Sequence, residues 1–145
     1  MHLGNLTIEP AFDPNELLYR RFSPEHIQDG GFLPAAFPFP RLSLNRSKFS
    51  ELEDVLHPDC CNGRALSNWG IVAFAARDLP TPIPGADDRQ FDFSLKHVPL
   101  ECCYAHSEIF CEADGVEIPK PSAKVRERFR VELALRSTIR KYPAT

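Results

Sequence analysis

Proline constrains this chain more than any other residue. It occupies 14 of 145 positions, close to twice the usual ~5%. Each proline removes a backbone donor and fixes one dihedral angle. Residues 32–41 (FLPAAFPFPR) hold three prolines and residues 79–90 hold three more. That spacing predicts short strands joined by irregular loops and excludes a helical bundle. The 11 phenylalanines, against 3 Tyr and 1 Trp, bring large apolar area to a small core. A chain of this length fits one domain and can hide roughly two-thirds of its unfolded surface, so disulfide or metal staples are not required. The composition excludes collagen, coiled coil and wholesale disorder. No apolar run approaches the ~20 residues of a membrane span.

Between the prolines, the hydrophobic pattern alternates. Residues 91–98 place Phe91, Phe93, Leu95 and His97 on one face, with Asp92, Ser94 and Lys96 on the other. Residues 103–111 alternate again: Cys103, Ala105, Ser107, Ile109 and Cys111 oppose Tyr104, His106, Glu108 and Phe110. The run WGIVAFAA at 69–76 suits a buried strand. Residues 17–22, after a turn at 13–16, and the start of a strand at 42–45 complete the set. Ser23-Pro24-Glu25 forms a helical turn, and Gly30-Gly31 a loop. Residues 32–41 lie as extended chain across the core. Ser50 and Glu53 have the form of a capping box, predicting a short helix at 51–56. Ser122 caps a second helix at about 122–136. The expected fold is therefore α+β: a small, mostly antiparallel sheet of four to five short strands, a short helix near 51–56 and a C-terminal helix. Residues 1–12 form a loose arm, and 13–145 a single domain.

The net charge of −3 conceals a division. Residues 120–145 carry eight basic and two acidic residues, and the body before them is strongly acidic. Such a segment suits an acidic protein or nucleic acid as partner, with Arg126, Arg128, Arg130, Arg136 and Arg140 as the contacts. The amino terminus lacks the basic start and apolar stretch of a secretory signal. The five cysteines make a poor disulfide framework. Reduced thiols in a cytoplasmic protein follow, and the sequons at Asn5 and Asn45 are then coincidental.

Three clusters hold chemistry-bearing side chains. Tyr104, His106 and Glu108 alternate, so a strand places them on one face, where a histidine beside a carboxylate can act as general acid or base. Arg20, Arg21, Asn45, Arg46 and Ser47 lie near strand ends, where guanidinium groups can hold a phosphate or carboxylate. Cys103-x-x-His106 has a zinc-knuckle spacing echoed by His57-x-x-Cys60, although the chain lacks a C-x-x-C pair. No cofactor is indicated by these groups, and no oligomeric state.

A basic residue in an early strand, a serine at a middle strand and a glutamate on a late strand also resemble the layout of ADP-ribosyltransferase-like domains. The resemblance implies that Arg20 or Arg21 holds cofactor phosphates, that Ser47 fills the serine position and that Glu108 orients the ribose. It covers three scattered points. The Ser-Thr-Ser triplet is absent, and His106 stands where that family has Glu or Gln.

No phosphate loop, G-x-G-x-x-G, H-E-x-x-H or nucleophile elbow occurs. The first expectation is accordingly a binding or accessory domain that uses its basic C-terminal segment. The alternative is a small enzyme acting on a nucleotide or phosphorylated ligand around His106 and Glu108. A structural zinc domain is the third reading.

Overall fold

A computed structural model describes residues 2–3, 6–39, 42–56, 66 and 68–144. In chain order the strands are β1 (His2–Leu3), β2 (Leu6–Thr7), β3 (Leu17–Phe22), β4 (Ile27–Gln28), β5 (Gly31–Phe32) and β6 (Ser43–Arg46). They continue with β7 (Gly70–Ala75), β8 (Ile83–Pro84), β9 (Gln90–His97), β10 (His106–Ala113), β11 (Val116–Glu117) and β12 (Thr138–Lys141), and the helix α1 (Ala123–Leu135) precedes β12. Eight strands form one curled antiparallel half-barrel sheet in the order β12-β7-β3-β6-β10-β9-β8, with β11 also paired to β10. The pairs β1–β2 and β4–β5 are separate ribbons.

The expected small α+β sheet of four to five strands is thus corrected: the molecule is mostly sheet, with a single α-helix among the described residues. The five central strands are those foreseen. The additional strands β8, β11 and β12 are two to four residues long, and β8 lies in the proline-rich segment 79–90 read as a loop. β8 contains a proline, which fits because β8 is an edge. β11 follows the tight turn Asp114-Gly115, whose φ angles are +54° and +77°. Asp29-Gly30, at +53° and +80°, closes the β4–β5 ribbon in the same way.

The concave face carries the main core. Leu18, Phe22, Leu44, Val72, Phe74, Phe93, Ile109 and Cys111 pack there against Val125, Phe129 and Leu133 of α1. Phe37 and Phe39, from the proline-rich segment, are buried in the same cluster. Phe129 stacks on Phe93 at 4.1 Å and meets Phe39 edge-on at 5.9 Å. Ser122 Oγ accepts the Val125 N–H at 3.3 Å, the cap foreseen for this helix.

On the convex face a smaller cluster of Tyr19, Val55, Leu56, Ile71 and Ala73 covers β3 and β7. This explains why β7 is buried along its whole length. Residues 52–56 form a 3-10 turn instead of an α-helix. The capping box does not close. Asp54 Oδ2 accepts the Glu51 N–H at 3.0 Å, while Ser50 donates to the Glu51 carbonyl.

Cys102 is disulfide-bonded, whereas Cys103 and Cys111 are free thiols. This corrects the expectation of reduced thiols throughout. No helix among the described residues is long and apolar enough to cross a membrane.

Burial, reinforced by Asp92 and Glu112, pushes the Cys111 thiol up to about 11. The fold therefore favours the neutral thiol. That stabilisation is complete below the ordinary value of 9.0 and is lost as pH rises through about 11. Thermal melts should show wild type losing stability faster than Cys111→Ala across this window. Parallel curves for the two proteins would contradict the assignment.

Candidate functional site

Strand alternation and register build a polar patch on the convex face of β6 and β10. Ser107 and Ile109 of β10 are buried, so His106 and Glu108 point the other way. Antiparallel pairing sets His106 opposite Asn45 and Glu108 opposite Ser43. On the far side of β10, Lys96 lies opposite Glu108. On the far side of β6, Tyr19 lies opposite Asn45. Arg21, two residues after Tyr19, is on the same face of β3. The patch therefore has one row of Ser43, Glu108 and Lys96 and a second of Tyr19, Asn45 and His106, with Arg21 on the same face of β3.

Within it, His106 Nδ1 lies 2.8 Å from the Val98 carbonyl, and Nε2 lies 3.2 Å from Ser43 Oγ. A carbonyl can only accept, so in the neutral ring Nδ1 carries the proton and Nε2 presents its lone pair to the Ser43 hydroxyl. Glu108 Oε2 is 3.9 Å from Nδ1. The His106 side chain is 15% exposed and that of Glu108 33%, so the pair is reachable from solvent without being fully hydrated. Ser43 was missed by sequence reasoning, because it comes to His106 from 63 residues away.

Tyr104 is not part of this patch. β10 begins at His106, and Tyr104 stands before it in a turn. Its ring meets Phe49 and His97 edge-on, each at 4.8 Å, and its hydroxyl donates to the Thr7 carbonyl at 2.5 Å. His97 Nε2 donates to the Tyr104 carbonyl at 2.7 Å, while Nδ1 accepts the Glu9 N–H at 3.0 Å. Residues 7–11, expected as part of a loose arm, are thereby bound to the body.

Arg46 completes that attachment and is not a ligand grip. Its guanidinium is fully buried and meets Glu16 bidentately, at 2.8 and 2.9 Å. It also donates to the carbonyls of Glu9 and Ala11, at 2.6 and 2.7 Å, and lies 3.8 Å from the Phe12 ring centroid. Four of its five donors are thus used within the chain. Ser47 Oγ accepts the Leu17 N–H at 3.0 Å, and Asn45 Oδ1 accepts from the Cys103 thiol at 3.8 Å.

Arg20 and Arg21 face opposite ways, as successive strand residues must. Arg20, between the core residues Leu18 and Phe22, donates to the carbonyls of Ala36 and Ser43, at 3.3 and 3.0 Å. Burial, helped by the charge of Arg21, lowers its pKa to about 10. Arg21 donates to the Val55 carbonyl at 3.5 Å. Arg20, Ser47 and Glu108 therefore do not share a cleft. Arg20 is on the concave side, and Ser47 lies past the end of β6, in a 3-10 turn with its hydroxyl on the Leu17 N–H.

Of the proposed zinc ligands, His57 and Cys60 lie outside the described residues. Cys103 and His106 both approach Asn45, but no group of three or more potential ligands occurs among the described residues. The basic C-terminal segment is docked. Arg128 pairs with Glu132 at 3.6 Å, Arg130 with Glu127 at 4.0 Å, and Arg136 donates to the Asp78 carbonyl at 3.2 Å. Arg126 is half-buried, and Arg140 is exposed on β12.

Removing one partner of the buried pair leaves the other charge uncompensated. Glu16→Gln should lower the unfolding free energy by about 3–5 kcal/mol in urea titrations, and Glu16→Leu with Arg46→Met by clearly less. A loss under about 1 kcal/mol for Glu16→Gln, the size expected of a surface pair, would contradict this account. No family model, curated protein or solved structure matches the chain, so its functional reading rests on the geometry above.

Proposed function

We propose that the chain is a small enzyme acting on a nucleotide or other phosphorylated ligand, with His106 as proton carrier and Glu108 beside it. The observation that carries this reading is the 3.2 Å approach of Ser43 Oγ to His106 Nε2 while Nδ1 is held on Val98. A general base needs an unprotonated nitrogen aimed at the hydroxyl it deprotonates, and this tautomer supplies one. As the ring takes up the proton, the carboxylate 3.9 Å from Nδ1 offsets the charge. Arg21 and Lys96, on the same face as Ser43, give the patch cations for an anionic substrate group in exchange for their contacts with the Val55 carbonyl and the Phe110 ring.

A second reading, contact with an acidic protein or nucleic acid, is favoured by the exposure of Arg128, Arg136 and Arg140. The exposed ion pair of Arg128 costs little to exchange for a partner's carboxylate or phosphate. Location enters through the cysteines. Cys103 and Cys111 are free thiols, as a cytoplasmic protein keeps them, and disulfide-bonded Cys102 departs from that state.

One set of purified variants separates these readings. With p-nitrophenyl phosphate and ATP as probes, His106→Ala should lower kcat about a hundred- to ten-thousand-fold while the melting temperature stays near that of wild type. Equal rates in wild type and His106→Ala would remove the enzymatic reading. Salt-sensitive retention on heparin that survives His106→Ala, but disappears when Arg126, Arg128, Arg130, Arg136 and Arg140 become glutamine, would transfer the function to the C-terminal segment.

A further inference from the structure

We infer that Ser43 is the nucleophile of this site and that it carries a phosphoryl group covalently between two half-reactions on a phosphate monoester. The inference rests on the reading of His106 as proton carrier. Three observations support it beyond that reading.

First, Ser43 is held from both sides of the sheet. Arg20 reaches its carbonyl from the concave side at 3.0 Å, and His106 meets its hydroxyl on the convex side at 3.2 Å. An attacking atom fixed in this way spends little entropy on alignment. Arg20 acts here as a positioning residue. Second, two cations stand on the face of Ser43: Arg21 of β3, now donating to the Val55 carbonyl, and Lys96 of β9, opposite Glu108 with its ammonium over the Phe110 ring at 4.6 Å. A transferring phosphoryl group needs positive charge around its oxygens and little other help. Third, the competing nucleophile nearby is unsuited. Burial pushes the Cys103 thiol up, and its hydrogen is turned to Asn45. A thiol must instead be lowered to react as thiolate.

The chemistry balances without a further reactant. Ser43 Oγ attacks phosphorus, its proton passes to His106 Nε2, and the bond from phosphorus to the leaving oxygen breaks. The departing oxygen takes the proton from Nε2 and leaves as an alcohol. Water then attacks the phosphoserine and gives a proton to Nε2. The Oγ–P bond breaks, Ser43 recovers its proton from the ring, and inorganic phosphate is released.

The test uses the full chain with p-nitrophenyl phosphate and phenyl phosphate, with glycerol as a competing acceptor. A shared phosphoserine must give the same ratio of glycerol phosphate to inorganic phosphate from both esters. Ser43→Ala should abolish turnover of both with its melting temperature nearly unchanged. A ratio that changes with the leaving group, or wild-type turnover by Ser43→Ala, overturns the covalent step while His106→Ala still reports on the acid–base reading. An acid-labile adduct mapped to His106 overturns Ser43 as carrier. Turnover of p-nitrophenyl acetate with both phosphate esters untouched overturns the substrate class. If neither ester class is turned over and His106→Ala behaves as wild type, the enzymatic reading itself fails.

Discussion

A guanidinium sealed from water must find every partner within the protein, and Arg46 organises the centre of this fold by that requirement. Its side chain has no exposure, and its bonds join three separated segments: the strap at 9–12, Glu16 at the entry to β3, and β6 itself. The pair need not add much net stability, since desolvation offsets most of the Coulomb attraction. Its consequence is specificity. Sliding β6 by one residue against β3 would turn Arg46 to the convex side, away from Glu16, and expose Leu44. The same facing turns Ser43 and Asn45 to the convex side, where the separate β6–β10 register sets them beside Glu108 and His106. The side of the sheet on which the candidate site lies is therefore tied to an interaction on the opposite face.

The two faces divide the work. The concave face is filled by aromatic contacts, with Phe129 of α1 against Phe93 and Phe39, so rearrangement there is costly. The convex face carries its apolar cluster over β3 and β7. Over β6 and β10 it changes to Ser, Asn, His and Glu. A half-covered polar patch on a strand pair backed by a packed core is suited to holding a proton-transfer pair in fixed geometry. Carbonyl and side-chain bonds on both ring nitrogens of His106 set its orientation.

What could be read from the sequence was local. The alternation of 91–98 and the buried run at 69–76 predicted β9 and β7, and Ser122 marked the start of α1, because each signal is contained within one segment. The short strands were not legible in the same way. β8 sits among prolines, and β12 follows a helix with mixed charge. β11 had a usable signal, the Asp114-Gly115 turn, which a search for two-residue hairpins finds. At the site, His106 and Glu108 emerged from period two, whereas Ser43 required the strand pairing. Tyr104 was grouped with them by extending that period through a turn, where it no longer holds. Arg46 was read as a ligand grip because its carboxylate partner is 30 residues distant.

The most direct measurement of the central claim is the tautomeric state of two histidines, from long-range proton–nitrogen NMR correlations on the neutral rings. The geometry predicts opposite states: Nδ1–H for His106, leaving Nε2 free to accept from Ser43, and Nε2–H for His97, whose Nδ1 accepts from the strap. Finding His106 as the Nε2–H tautomer would remove the base from the Ser43 hydroxyl and contradict the account at its centre.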